Sequence, residues 1–240
     1  MLLIALQYWN GDREQALRLA RRLADIEPEF RKDVCLEFVL RFDATAPSME
    51  TLAYVGKKFK TTVYRCKRRG QGHPDGCGDV WHDFVNEMWA RFLRVRWFTD
   101  NIDKVMFYEG DNVPLSKTWI NEIVAEWEEV RAEGKFILGC WSKEGYESGH
   151  INGACFVTVP DLFNRIKGLE GCPSGVAWDV FHGPKFEPHW FKSKKMINLY
   201  KSEGVLKSAL FDKKGKPKFA NCHGAKDQSV WELAADAGVK

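Results

Sequence analysis

Apolar positions along the chain follow two periods. Leu2 to Tyr8 is a short apolar run, and after a polar turn at Asn10, Gly11 and Asp12 the stretch Glu14 to Ile26 repeats Ala16, Leu19, Ala20, Leu23 and Ile26 at helical spacing. The order predicted is strand, turn, helix. Val34 to Phe42 and Thr61 to Cys66 are two more runs of strand length, the second rich in β-branched and aromatic residues that suit a pleated surface. Gly70 to Gly78 reads as a glycine-rich loop, followed by a helix capped by Asp79 with Trp81, Phe84, Val85, Met88, Trp89 and Phe92 on one face. Lys104 to Tyr108 predicts a strand that stops at Glu109-Gly110-Asp111. Beyond Pro114, a helix capped by Ser116 turns Trp119, Ile120, Ile123, Val124 and Trp127 inward. Lys135 to Trp141 and Ile151 to Val159 predict strands, the latter entering a short helix through Pro160 and Asp161, and Ser229 to Ala235 predicts a last helix. Gly204 to Lys218, basic and containing glycine and proline, reads as a linker. Alternating strands and helices over the first half imply an α/β fold with a mostly parallel, Rossmann-like sheet flanked by helices. In such folds ligands gather beyond the carboxyl ends of the strands.

The 240 residues with 45% hydrophobic content suffice for one large domain. Net charge is only +3, but lysines and arginines cluster at 57–60, 67–69, 192–195 and 213–218, which reads either as solvated loops or as a surface for a polyanion. Seven cysteines, an odd number lodged mostly in apolar stretches, point to buried free thiols and a reducing compartment, hence a cytoplasmic protein. No run reaches the roughly 18 apolar residues needed to cross a bilayer, so no membrane partner is expected.

Chemistry concentrates in two places. Val105 to Asn112 is an apolar strand ending in two acids one residue apart, the glycine between them allowing a tight bend. Carboxylates delivered to a crevice suit a hard divalent cation with positions left for phosphate oxygens; alone, they read equally as a solvated strand-end turn. Near the C-terminus, Asn221-Cys222-His223-Gly224-Ala225-Lys226-Asp227 offers an imidazole to complete a metal shell and a lysine to neutralise a departing diphosphate, although His223 alone reads as a loop histidine. Gln7 and Tyr8 end the first strand, where an aromatic ring stacks on a base or else packs in the core. Arg65, ending the third strand, meets a nucleotide or forms a surface ion pair.

The order of these parts resembles that of GT-A glycosyltransferases, the nucleotide-diphospho-sugar enzymes. Glu109-Gly110-Asp111 looks like an E-x-D version of the family's D-x-D motif, Asp111 matching the acid that touches the metal. The resemblance implies that His223 is the C-terminal ligand, that Lys226 contacts the diphosphate, and that the cofactor is Mn or Mg beside a nucleoside-diphosphate sugar, a UDP-sugar being favoured. Gly149 to Ala154, with His150, Asn152 and Gly153, resembles the family's acceptor-side loop. Trp178 and Asp179 fall where the family places an acid facing the sugar or the acceptor hydroxyl. Asp179 then acts as base in an inverting reaction or as a positioning group in a retaining one. On this reading residues 1–132 form a nucleotide-binding half and 133–240 an acceptor-side half of one domain.

Two rivals remain. A sugar-1-phosphate nucleotidyltransferase also needs a sheet and metal-holding acids, but Gln7 to Asp12 lacks the glycine-rich basic loop that such enzymes place after the first strand. A zinc-stabilised nucleic-acid module is suggested by Cys66, His73, Cys77 and His82, whose spacing matches no paired zinc motif. For the acceptor, the basic clusters and aromatic residues admit DNA, with a hydroxymethylated pyrimidine of viral DNA as one form, alongside protein, glycan and small-molecule acceptors.

Overall fold

A computed structural model describes residues 1–67, 75–95, 104–142, 150–166, 169, 173, 176–202, 205–225 and 229–239. The six apolar runs become strands β1 (Leu2–Tyr8), β2 (Arg31–Leu40), β3 (Phe59–Arg65), β4 (Lys104–Glu109), β6 (Ile137–Ser142) and β7 (His150–Thr158), and four strands the pattern does not predict join them, β5 (Val113–Pro114), β8 (Trp190–Lys192), β9 (Met196–Ser202) and β10 (Asn221–Ala225). Seven of them form one sheet in the order β3-β2-β1-β4-β7-β6-β8. β1 lies inside it with Leu3 to Leu6 wholly buried, which is why its sequence is apolar without alternation. β7 alone runs against its neighbours, so its first residue, His150, arrives at the edge where β4 ends. The helices flanking the sheet are α1 (Arg13–Ile26), α2 (Met49–Gly56), α3 (Asp75–Val95), α4 (Trp119–Ala132), α5 (Val159–Arg165), α6 (Trp178–Phe186), α7 (Lys207–Leu210) and α8 (Ser229–Asp236). α1 buries Ala16, Leu19, Ala20, Leu23 and Ile26, the face its periodicity predicts.

The remaining strands make a second sheet, β5-β10-β9, with β10 antiparallel to β5 and parallel to β9. This small sheet carries the last third of the chain back to the end of β4.

Four local expectations change. α3 begins at Asp75, not after Asp79, so Gly76 and Gly78 are helical; burial of Trp81, Phe84, Val85 and Met88 outweighs the poor helix propensity of glycine. The cap position of α4 is Thr118; Ser116 instead accepts the Thr118 N–H at 3.1 Å and donates to Glu122 at 2.6 Å. α2 escaped the pattern because it buries only Thr51 and Val55, yet Ser48 caps it through the Thr51 N–H. The supposed linker is ordered: α7 is followed by a Phe211–Pro217 bridge, and Leu210 and Phe211 are buried anchors among the lysines.

Candidate metal centre

β4 keeps Val105 to Tyr108 in the core and then turns sharply. The Asn112 backbone N–H and side-chain amide both donate to the Glu109 carbonyl, at 3.1 and 3.0 Å, which holds the two acids on a short loop. Gly110 is required for a different reason from the bend expected of it. It has no positive φ, but a Cβ there would lie 3.1 Å from the Ala16 nitrogen and 3.4 Å from its Cα, so the glycine admits the first turn of α1.

β10 is pinned to this loop from the other side. The Ala225 N–H donates to the Asp111 carbonyl at 3.2 Å, and the Asn221 amide donates to Asn112 Oδ1 at 2.9 Å while its carbonyl accepts the Tyr108 hydroxyl. Tyr108, Asn112 and Asn221 are all buried, so each polar atom needs these partners. Between His223 and Ala225 the pairing with β9 slips at Gly224, whose φ of 82° is a left-handed conformation that favours glycine.

The outcome is a three-residue cage. His223 Nε2 lies 2.9 Å from Glu109 Oε2 and 3.1 Å from Asp111 Oδ1, and one ligand atom from each of the three falls within 4.8 Å of the others. His223 Nδ1 faces Asn198 Oδ1 on β9 at 3.4 Å. Burial opposes a charge on His223, but the hydrogen bonds and charges of Asp111 and Glu109 prevail and push its pKa up to about 10. Two carboxylates thus draw positive charge to the point between them. A divalent cation would satisfy the same demand with a neutral imidazole, two carboxylates and one imidazole being donors that such an ion accepts.

Two more acids border the cage. Asp12, in the loop between β1 and α1, is pushed up to about 6 by burial, against the hydrogen bond from the Trp9 N–H, with Glu109 and Asp111 adding to the rise. Asp179, in the first turn of α6, is pushed up to about 7 by burial and by Glu109. Its Oδ2 is 3.8 Å from His150 Nε2. α6 is held against α3 by Trp178, stacked on Trp81 at 4.3 Å, and by His182, whose Nε2 is 3.3 Å from that of His82.

Several expected contacts sit elsewhere. Trp178 is a core residue 4% exposed and presents no surface to an acceptor. His150 to Ala154 belong to strand β7, including Asn152 and Gly153, because the run is apolar enough to fill the sheet beside β4; Gly149 lies outside the described residues. Tyr8 is buried edge-on against Phe38, with its hydroxyl given to the Thr45 carbonyl, so its ring face is closed to a base. Arg65 donates to the carbonyls of Phe42 and Ala44 and braces the loop after β2. Gln7 sits opposite Glu109 in register, its amide nitrogen buried with no hydrogen-bond partner. Lys226 and His73 lie outside the described residues. Cys66 points its thiol at the Val80 carbonyl and His82 faces His182, so neither joins a cysteine-histidine cluster among the described residues. Cys35, Cys66, Cys140, Cys155 and Cys222 are buried free thiols, as expected.

The sequence pattern missed Asp12, Asn112, Asn198 and Asn221, and also Trp9, which is 42% exposed at the end of β1 with Arg41 over its ring at 5.1 Å. Asp12 had one signal, its place directly beyond a buried first strand.

No family model and no curated protein matches the sequence. Solved structures do. The galactosyltransferase LgtC in complex with donor and acceptor sugar analogues superposes with a TM-score of 0.54 over 98% of this chain and 95% of its own, at 10% identity. Mouse xyloside xylosyltransferase 1 gives 0.52 over 94% and 97%, at 12% identity. S. aureus TarS, residues 1–349, gives 0.50 over 78% of this chain and 55% of its own, at 10% identity. The likeness is one of fold, and the fold is the GT-A glycosyltransferase fold.

Proposed function

We propose that this GT-A domain is a glycosyltransferase that moves a sugar from a nucleoside diphosphate, a UDP-sugar by preference, to an acceptor hydroxyl with the help of Mn or Mg. The observation that carries the reading is the meeting of Glu109, Asp111 and His223, from the end of β4 and from β10, at the carboxyl edge of the sheet. A divalent ion bound there would stabilise the charge that grows on the leaving diphosphate. Asp111 and His223 would hold it, with Glu109, half exposed, as the third donor. Gln7, whose amide lacks a partner, offers a donor to the nucleotide, and exposed Trp9 replaces Tyr8 as the aromatic face at that end.

Asp179 is assigned as the group that takes the acceptor proton. Its carboxyl borders the cage, its backbone is fixed in the first turn of α6, and its affinity for a proton lies near neutrality, where a general base is most effective. His150 faces it from β7 at 3.8 Å.

The test needs no acceptor. Purified protein is incubated with manganese and a panel of nucleotide sugars, and slow release of nucleoside diphosphate is recorded. One donor should be hydrolysed, and Asp111→Ala should cut the rate at least about a hundredfold, with the circular dichroism unchanged, because a metal supplies several kcal/mol of charge stabilisation. Full activity in Asp111→Ala defeats the assignment.

A further inference from the structure

The lysines at 192–195 and 207–218, which the cage does not use, flank strands that lead to it: the first group begins at the end of β8, and the second precedes β10, which carries His223. β8 runs parallel to β6 with Lys192 opposite Gly139, so the chain leaves β8 at the edge where β4 presents Glu109 and β7 begins with His150. It then turns through Lys194 and Lys195. The turn is locked by Glu126, which accepts the Ser193 hydroxyl at 2.6 Å and the Lys194 N–H at 2.5 Å. The Lys195 carbonyl accepts the N–H groups of Ala220 and Asn221, at 2.8 and 3.1 Å, which ties this corner to the segment leading into β10 and His223.

That segment is a lysine-rich turn held by its own hydrogen bonds. Asp212 Oδ1 accepts the backbone N–H groups of Lys214 and Lys216 at 2.8 and 2.9 Å, and Leu210 and Phe211 anchor it from below. Lys207, Lys213, Lys214, Lys216 and Lys218 all point outward, exposed. Among the described residues only Lys195 in this region meets a carboxylate, Glu122 at 3.2 Å. Next to the corner, Trp141 and Trp190 pack against the core with ring centroids 4.6 Å apart, each partly exposed, and the Trp190 indole N–H donates to the Gly139 carbonyl.

We infer that this face docks a nucleic-acid acceptor, its lysines on the phosphodiesters and its tryptophans beside an unstacked base, so that a nucleotide hydroxyl enters the crevice between Asp179 and the cage. The inference rests on the transferase reading and supplies the substrate class which that reading lacks. Lysines interleaved with partly exposed aromatic rings match the chemistry of a nucleic-acid strand. Insertion into a membrane interface requires a row of exposed apolar side chains beside the charges, and here Leu206, 73% exposed, stands as the one exposed large apolar side chain among the segment's described residues.

Binding of the full chain to a fluorescent DNA duplex, followed by anisotropy between about 50 and 200 mM salt, tests this. Affinity should fall steeply with salt. The triple reversal K213E/K214E/K216E should weaken binding at least about tenfold and lower the slope of log affinity against log salt by about 3. The same reversal at Lys57, Lys58 and Lys60, near the opposite end of the parallel strands, should leave the slope unchanged. Equal losses in both triple variants, no retention of the duplex, or tighter binding to phosphatidylglycerol vesicles would overturn the proposal. Donor hydrolysis without acceptor, measured on the same preparations, reports on the transferase reading separately and should match wild type in both variants.

Discussion

Asn221→Ala removes the side chain that joins the two halves of the cage. In the folded protein its carbonyl accepts the Tyr108 hydroxyl and its amide donates to Asn112 Oδ1, and both partners are 0% exposed. Alanine leaves that hydroxyl and that carbonyl oxygen stranded away from water. Each unsatisfied buried polar group costs about 1–3 kcal/mol, so the variant should lose about 2–5 kcal/mol in urea unfolding. For a domain of this size that lowers Tm by roughly 5–15 °C. A partner substitution separates this cause from a simple cavity. Tyr108→Phe alone unpairs the Asn221 carbonyl and should destabilise; added to Asn221→Ala it removes the stranded hydroxyl. The double variant should then be more stable than the two single losses predict by about 1 kcal/mol or more. If Asn221→Ala stays within about 0.5 kcal/mol of wild type, or if the single effects simply add, the buried network is not what holds β10 against β4.

Other outcomes follow from the same geometry. Burial, then Glu109, raises the Asp179 carboxyl from 3.8 to about 7, so the folded protein binds its proton more tightly than the unfolded chain and loses stability as pH climbs between those values. Asp179→Asn should therefore melt above wild type at about pH 8 and with it near pH 4, and a pH-independent gap would contradict the burial. Manganese at a hundredfold excess over its dissociation constant should stabilise wild type by about 2.7 kcal/mol in thermal melts, and an equal gain in Asp111→Ala would place the ion elsewhere. Gly110→Ala, forced against the Ala16 backbone at 3.1 Å, should cost about 1–3 kcal/mol, whereas Gly56→Ala, whose Cβ would meet nothing within 4 Å, should be neutral or stabilising; calorimetry showing the reverse order would refute the close approach.

What could be seen in the sequence was what periodicity and residue chemistry encode locally. The buried strands β1 and β4, the inward face of α1, and the acids at the end of β4 all announce themselves through apolar runs with abrupt polar ends. Glu109, Asp111 and His223 were named from residue type and motif order, and the structure brings them together. Hidden from the sequence were features that depend on who packs against whom. Tyr8 and Trp178 look like site aromatics until Phe38 and Trp81 are seen to enclose them. Asn112 and Asn221 carry no signal of their own, because their role exists only once residues 109 positions apart are hydrogen-bonded. The 204–218 stretch has linker composition, but two buried residues, Leu210 and Phe211, decide its structure, and two positions are too few to show a period.

The strand order of the small sheet has a consequence for how the protein comes to life. β10 lies in the middle of β5-β10-β9 although it follows both neighbours in the chain, and the imidazole it carries meets Glu109 across 114 residues of sequence. During synthesis the acids therefore emerge long before their partner, a bare anionic pair. A nascent chain halted short of β10 lacks the imidazole, so the cage cannot be complete until that strand has been made.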